Sequence, residues 1–243
     1  MGSTPAAYLT LSIDDGHPAD LRTADLLEEF GLAATFYVPA ANSEREVLGE
    51  PEVRALAERF EVGAHTYHHV TLPRLPAEEA RREIVDGKAW LEDVVGKPVV
   101  AFCYPGGKFN ARVAGLVAEA GFAGARTCAQ NVLESPGNPF FWGISTQAFS
   151  HPRRIQIRHA AREGNWSGLA NFVRVFRGAV DWEVHFDRAV SHVAEHGGVA
   201  HLYLHSWEID EQGDWPKLRR VLQRLHGRDD LTTVTNGELF TMG

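Results

Sequence analysis

Short apolar runs rich in β-branched and aromatic residues alternate with amphipathic helical patterns along most of this 243-residue chain. The runs lie at residues 8–13, 34–39, 60–65, 98–105, 122–127, 198–205 and 231–236. The helical patterns between them lie at residues 19–31, 51–59, 76–95, 110–120, 182–196 and 214–226. Repeated strand–helix units predict an α/β fold with a parallel sheet and outer helices, and about seven units favour a closed barrel over an open sheet.

The middle of the chain, residues 128–180, departs from this simple alternation. The sequence FFWGIST at 140–146 predicts a strand, and residues 151–176 have a helical or mixed pattern. No fixed-period repeat, low-complexity tract or linker interrupts the sequence. We therefore predict a single domain over residues 1–243.

Composition narrows the class of partner and the compartment. The net charge is −8 and no basic patch stands out, so we expect no nucleic-acid partner. The two cysteines, Cys103 and Cys128, form no disulfide framework and fit a reducing compartment. The first apolar run is about six residues long, which is typical of a strand and not of a signal peptide. No stretch approaches the roughly 18 apolar residues of a membrane span, so the sequence predicts a cytoplasmic protein; it does not indicate an oligomeric state.

Acids, histidines and other polar residues follow several of the predicted strands. In a parallel barrel the carboxyl ends of the strands meet at one rim, where function is usually located. We therefore expect these residues to converge from distant parts of the chain. They are Asp14, Asp15, His17, His65, His68, His69, Arg126, Thr127, His205 and Trp207.

His65 and His69 have a spacing that suits a shared metal ion if the stretch after His65 turns helically. One carboxylate would complete a set of two histidines and one acid, which leaves open positions for water and substrate. Such an ion would also explain the adjacent acids Asp14 and Asp15, one as a ligand and the other as a base. The simpler alternatives are that the acids cap the following helix and that the histidines lie on the surface.

Four short motifs carry a resemblance to a known family. They are SIDDG (Ser12–Gly16), HTYHH (His65–His69), FCYPGG (Phe102–Gly107) and LYLH (Leu202–His205). In this order they resemble the motifs of the polysaccharide deacetylases, the NodB-homology family also called family-4 carbohydrate esterases. The family's motifs are TFDDG, H-[ST]-x-x-H, an aromatic–Arg–Pro–Pro–Tyr–Gly type segment and L-x-L-H. The similarity in order and spacing extends from about residue 8 to residue 240.

The resemblance implies a distorted (β/α) barrel of about seven strands that removes acetyl groups from N-acetylated sugars with a divalent metal ion. Zinc is the expected ion, with cobalt and nickel as alternatives, and the partner is a carbohydrate or small-molecule substrate. By motif position, the resemblance implies that Asp14 is the general base and His205 the general acid. It also implies that the backbone N–H near Gly106 stabilises the oxyanion. The implied metal ligands are Asp15, His65 and His69.

The chain departs from the family at two catalytic positions. The arginine of the third motif, which orients the catalytic aspartate in the family, aligns with Cys103. We hypothesise that Arg126, at the end of the next strand, replaces it; the simpler alternative is a surface ion pair. The family's fourth motif, an Asp-Trp pair that supports the general acid, is not evident, and Gln147 is a candidate to support His205 instead.

Tyr104 and Trp207 are candidate residues for stacking against a sugar ring, with burial in the core as the alternative. Two other functions stay open at this point. The same site could hydrolyse another non-peptide C–N bond, such as that of a cyclic amide or imide. The barrel could also bind a glycan without catalysis, although a simple binding protein has no need of the paired acids.

Overall fold

The computed structural model describes residues 6–242 as one parallel sheet surrounded by helices. The strands are β1 (Ala7–Asp14), β2 (Thr35–Val38), β3 (Glu61–Ala64), β4 (Ala101–Cys103), β5 (Gly124–Arg126), β6 (Thr146–Gln147), β7 (Gly198–Leu204) and β8 (Thr232–Thr233). The helices are α1 (Asp20–Glu29), α2 (Glu50–Arg59), α3 (Ala77–Val95), α4 (Ala111–Glu119), α5 (Arg153–Glu163), α6 (Trp166–Arg174), α7 (Trp182–His196), α8 (Ser206–Gln212), α9 (Trp215–Leu225) and α10 (Asn236–Thr241). Within residues 6–242, none of these helices combines the length and the hydropathy of a membrane span.

The sheet is ordered β5-β4-β3-β2-β1-β7-β6, and the short β8 pairs with the first half of β1. The stretch 142–148 contacts both outer parts of this sheet: the Trp142 N–H donates to Ala125 O on β5 at 3.1 Å, and the Ala148 N–H donates to Tyr203 O on β7 at 2.8 Å. The sheet therefore curls into a distorted (β/α) barrel with seven strands on its main path. This confirms the predicted fold class; the single-domain organisation stays a prediction.

β1 is the central strand, and its side chains alternate between two environments. Its buried apolar residues, in the cluster between sheet and helices, are Leu9, Leu11 and Ile13. On the other face, Thr10 Oγ1 accepts a hydrogen bond from Asn236 Nδ2 at 2.8 Å, and Ser12 Oγ lies 2.8 Å from His201 Nε2. Because side chains alternate along a strand, Asp14 belongs to this polar inner face. The alternation of side chains along β1 therefore places Asp14 in the barrel interior.

The structure differs from the predicted elements mainly in the middle of the chain. The predicted strand at 140–146 is largely wrong, because residues 139–141 form a 3₁₀ turn, Trp142 makes only an isolated bridge to Arg126, and the strand is limited to Thr146–Gln147. The mixed stretch 151–176 forms the helices α5 and α6. Two short helices, α8 and α10, were absent from the predicted pattern, because six or seven residues are too few for a clear helical period.

His185 joins the unpredicted middle segment to the core. It lies on α7, is only 4% exposed, and stacks on Phe176 with ring centroids 3.8 Å apart. Its ring nitrogens lie 2.7 Å from Thr146 Oγ1 and 2.9 Å from Asn131 Oδ1. Burial, together with the charge of Arg188, lowers the pKa of His185 to about 3. Between a pH of about 3 and a pH of about 6.5, this imidazole is therefore neutral in the folded protein and protonated in the unfolded chain.

This burial predicts a specific contribution to acid destabilisation. Between a pH near 6.5 and a pH near 3 the unfolded chain binds one more proton at His185, so the free energy of unfolding falls as the pH falls. In His185→Gln this slope should be smaller, by up to about 1.4 kcal/mol per pH unit, in urea titrations between about pH 6 and about pH 4.5. His196→Gln, an exposed histidine of the same helix, is the control. Equal slopes for His185→Gln and the unsubstituted protein would contradict this account.

Candidate active site

The residues singled out at the strand ends meet at one rim of the sheet. Asp14 ends β1, His65 follows β3, Arg126 ends β5 and His205 follows β7. Because every strand pair is parallel, these four ends face the same side. The geometric expectation of convergence is met although these residues are up to 191 positions apart in the sequence (205 − 14).

Asp14 and Arg126 form a buried ion pair in the barrel interior. The Arg126 side chain is fully buried, Asp14 is 2% exposed, and the guanidinium donates to both carboxylate oxygens. Cys103 Sγ donates to Asp14 Oδ2 at 3.4 Å, and Cys103 pairs with Arg126 in the register of β4 and β5. The cation thus comes from the strand next to the one that carries the cysteine.

Burial by itself would raise the pKa of Asp14, but the adjacent Arg126 guanidinium holds that pKa below its ordinary value. The charge of nearby His205 acts in the same direction. Asp14 is therefore ionised at neutral pH, even though it is closed off from bulk water. An ionised, oriented carboxylate of this kind is able to accept a proton from a group within hydrogen-bond distance of it.

Asp15 faces two histidines instead of an arginine. Its Oδ1 lies 3.6 Å from His65 Nε2 and 3.2 Å from His69 Nε2, and one ligand atom from each of the three residues lies within 4.8 Å of the others. This Oδ1 is buried and has no hydrogen-bond partner. His65 Nδ1 lies 2.9 Å from Cys103 O, so its proton is bound there and the lone pair of Nε2 faces Asp15. A buried oxygen without a hydrogen-bond donor, close to two imidazole nitrogens, fits the ligand set of a divalent cation.

A second, overlapping set comprises Asp14, His65 and Cys103. This set fits a cation less well, because the Asp14 oxygens already accept hydrogen bonds from the Arg126 guanidinium. Burial also raises the pKa of the Cys103 thiol well above its ordinary value, which disfavours the thiolate that a metal needs. The Asp15 set is therefore the better candidate.

The backbone around these ligands is bent in two places. Asp15 has φ 81°, Thr66 has φ 64° and His69 has φ 54°, three of the five non-glycine residues with positive φ among those described. Residues 65–69 form a turn, so the helical turn considered for this stretch is wrong. The turn nevertheless brings the rings of His65 and His69 to a centroid distance of 4.9 Å. Such costly conformations typically persist at functional sites.

His205 is held by a carboxylate that the sequence reasoning missed. Its Nδ1 lies 2.8 Å from Glu208 Oε2, and its Nε2 lies 2.8 Å from the hydroxyl of Tyr203. Gln147 Nε2 donates to Glu208 Oε2 at 3.2 Å, so the prediction that Gln147 supports His205 directly is wrong. Burial would lower the pKa of His205, but the Glu208 carboxylate and the charges of Asp15 and Asp14 raise it above its ordinary value. The signal for Glu208 was its position three residues after His205, at the start of a short helix.

The three residues predicted to contact substrate have different environments. Tyr104 is fully buried between Phe102 and Phe109, so the prediction that it stacks on a sugar ring is wrong; its large apolar ring fills the core. Gly106 is exposed and has φ 58°, and a Cβ placed there would meet only Lys108 Cγ, at 3.9 Å. Its backbone therefore borders open space at the rim.

Trp207 contacts the site itself. Its indole Nε1 donates to Asp15 Oδ2 at 2.9 Å, its ring stacks on His205 at 5.0 Å, and the Arg45 guanidinium carbon lies 3.2 Å from the ring centroid. The ring is thus already in contact with two side chains. This geometry fits a residue that orients Asp15 better than a free surface for a sugar.

Comparison with known proteins identifies the family of the chain. The family model for polysaccharide deacetylase matches residues 1–125, about half of the 243-residue chain. The chain belongs to this family. A peptidoglycan-N-acetylglucosamine deacetylase of Bacillus cereus is 30% identical over 116 residues, which cover 47% of this chain and 53% of that protein. The chain thus matches about half the length of that relative.

Solved structures of polysaccharide deacetylases have the same fold. A family 4 carbohydrate esterase from Streptomyces lividans aligns over 90% of both chains with a TM-score of 0.55 and 17% identity. The Xyl-CE4 domain of a multidomain xylanase, from the hindgut metagenome of Trinervitermes trinervoides, aligns over 97% of this chain and 90% of its own with a TM-score of 0.56 and 18% identity. The family match confirms the resemblance. The matched region ends at residue 125, so it does not include Arg126, His205 or Glu208.

The buried ion pair predicts a strong energetic coupling between its members. Arg126→Met leaves the Asp14 charge buried without a partner, so the free energy of unfolding should fall by about 3 kcal/mol or more at neutral pH. In Arg126→Met/Asp14→Asn no charge is left unpaired, and the loss should be smaller than the sum of the two single losses. Urea denaturation of the chelator-treated proteins measures both. Additive losses would show that the two side chains are not coupled.

Proposed function

We propose that this protein is a metal-dependent hydrolase that removes N-acetyl groups from an amino sugar or a glycan. The observation that carries the proposal is the different surroundings of the two adjacent acids. Asp14 is bound by Arg126, whereas Asp15 presents an unpartnered oxygen to two histidines. One acid is suited to accept a proton and the other to hold a cation, which is the division that hydrolysis of an unreactive amide requires.

Asp15, His65 and His69 would hold the ion, for which we propose zinc, with cobalt or nickel as alternatives. Three ligands leave coordination positions open. When bound, such an ion supplies Lewis acidity toward a carbonyl oxygen and increases the acidity of water. Trp207, which donates to Asp15 Oδ2 at 2.9 Å, would fix the orientation of that carboxylate as an outer-shell partner.

Asp14 and His205 would move the protons of the reaction. Asp14 would accept a proton from the attacking water as a C–O bond forms at the acetyl carbon, and Arg126 would keep the carboxylate ionised and oriented. His205 would then donate a proton to the sugar nitrogen as the C–N bond breaks, which releases acetate and a free amine. The raised pKa of His205 supports the protonated form that this second step needs.

The negative charge that develops on the carbonyl oxygen needs a donor as well. We propose the backbone N–H of Gly106, because the loop there is exposed and borders open space. A fixed backbone dipole of this kind stabilises an oxyanion without reorganisation. For the substrate class, the Bacillus cereus relative is named for peptidoglycan N-acetylglucosamine, and we propose an N-acetylated glucosamine-type sugar on that basis.

Acetate release tests the proposed function directly. The chelator-treated protein and the same protein with added zinc, cobalt or nickel are incubated with a panel of N-acetylated sugars and oligosaccharides. We expect metal-dependent acetate release, and in Asp14→Asn a decrease of about a hundredfold or more in kcat, since general base catalysis contributes that much. Zinc binding, measured by calorimetry, should persist in Asp14→Asn and be lost in His69→Asn.

The other outcomes separate the alternatives. Zinc binding without acetate release from any sugar, together with hydrolysis of cyclic amides or imides, would favour the second class of C–N hydrolase. Binding of glycans without turnover of any amide would favour a non-catalytic barrel. Absence of metal binding at His65 and His69 would overturn the catalytic proposal.

Glu208 provides a separate test of the general acid. We expect Glu208→Gln to lower kcat about tenfold or more, because the amide no longer fixes the charged His205 ring, while KM changes little. Since Glu208 contacts Nδ1, on the far side of the ring from Asp15, zinc affinity should not change.

The matched control is Glu119→Gln, which removes an exposed glutamate paired with Arg81. It should leave both kcat and KM unchanged. A loss confined to KM in Glu208→Gln, or an unchanged kcat, would contradict the proposed support of His205.

A further inference from the structure

A cavity of about 310 Å³ opens beside the loop that carries Gly106. One wall is formed by Gly107, Lys108 and Phe109, and the other by Arg162 and Glu163 at the end of α5, with Ala129 and Asn165 also lining it. A Cβ on Gly106 would lie 3.9 Å from Lys108 Cγ, so the Lys108 side chain lies directly beside that glycine. The cavity therefore adjoins the backbone group that we propose as the oxyanion donor.

The loop is also packed against the residues around the base. A Cβ on Gly107 would clash with Cys128 Cβ at 2.6 Å, so only glycine allows the loop to approach this closely. Cys128 Sγ in turn accepts a hydrogen bond from Arg126 Nη1 at 3.2 Å. Gly107, which lines the cavity, therefore contacts a residue that is itself hydrogen-bonded to Arg126 of the buried ion pair.

The cavity carries two cations without ion-pair partners. Among residues 6–242, neither Lys108 nor Arg162 has a carboxylate within 4.0 Å; burial raises the pKa of the neighbouring Glu163, and the charge of Lys108 opposes that rise. Glu163 also lines the cavity, which leaves one positive charge in excess. An anion in the cavity would gain charge-assisted hydrogen bonds from these two side chains.

Beside these cations lies an aromatic surface that the sequence did not reveal. Phe109 is 38% exposed and Phe141 is 37% exposed, and their ring centroids lie 5.2 Å apart. The buried ring of Tyr104 stacks under Phe109 at 5.2 Å and fixes its position. The part of the Phe109 ring that Tyr104 and Phe141 leave exposed offers an apolar contact to a sugar.

We propose that this cavity is a substrate subsite that selects N-acetylated sugars bearing an anionic substituent, a carboxylate or a phosphate. The sugar ring packs on Phe109, and Lys108 and Arg162 bind the anion. The inference rests on the proposed function for its placement beside the reacting acetyl group. The binding of the anionic sugar itself does not require turnover.

The test compares neutral and anionic sugars by activity and by binding. The substrates are N-acetylglucosamine, its 6-phosphate, and the derivative with a 3-O-lactyl carboxylate. For the zinc-loaded protein we expect kcat/KM for acetate release to be about tenfold or more higher for at least one anionic sugar than for the neutral one. In Lys108→Gln/Arg162→Gln this ratio should fall to about one. Which of the two anionic sugars shows the higher ratio distinguishes a phosphate from a carboxylate preference.

Arg158→Gln is the matched control, because it removes an exposed arginine of the same helix that does not line the cavity. It should leave the ratio unchanged. Phe109→Leu should weaken the binding of neutral and anionic sugars to the same extent, because the apolar ring does not distinguish between them by charge.

Binding of the same sugars, measured by calorimetry, tests the subsite separately from acetate release, which tests the proposed function. A ratio near one in the unsubstituted protein, or a ratio that the double substitution does not change, would overturn the subsite while acetate release upheld the deacetylase. Failure to release acetate from any sugar would overturn the proposed function. In that case, charge-selective binding lost in Lys108→Gln/Arg162→Gln would still support the subsite, and equal binding of neutral and anionic sugars would overturn it.

Discussion

The buried ion pair between Asp14 and Arg126 is the interaction on which the rest of the site depends. A carboxylate at the end of the central strand, closed off from water, requires a compensating cation. The cation comes from β5, and its other nitrogen contacts Cys128, against which the Gly106–Gly107 loop packs. One guanidinium thus contacts both Asp14 and Cys128, the residue against which Gly107 packs. Because Arg126 provides the cation, the third-motif position that is arginine in the family can be a cysteine here. The thiol of this residue, Cys103, also donates to Asp14.

The two adjacent acids coexist because the backbone separates their surroundings. Asp14 continues the alternation of β1 and faces the interior, whereas Asp15, with φ 81°, leaves the strand and faces His65 and His69. Each acid therefore faces a different set of partners within the same few ångströms. The tight turn at this strand end points two carboxylates that would otherwise repel each other toward different partners.

One side of the candidate site is bordered by the segments that depart from simple strand–helix alternation. Residues 139–141 place Phe141 beside Phe109, and the end of α5 brings Arg162 to the third-motif loop. His185 ties the same region to the core through Thr146 and Asn131. The strand ends of the barrel thus carry the paired acids and the histidines, and the middle of the chain borders the loop beside them.

The sequence by itself determined the parallel barrel, the family and the set of residues at its rim, because strand–helix periodicity and short motifs are local properties of the chain. It also indicated Arg126, since a strand end in a parallel sheet has a known direction. It did not predict the contact between Glu208 and His205, the burial of Tyr104 or the exposed pair Phe109 and Phe141. Only the tertiary structure decided these features, because a side chain's partners and exposure depend on segments far away in the sequence. The turn at residues 65–69 was decided in the same way, since packing at the site holds positive φ angles that local preference disfavours.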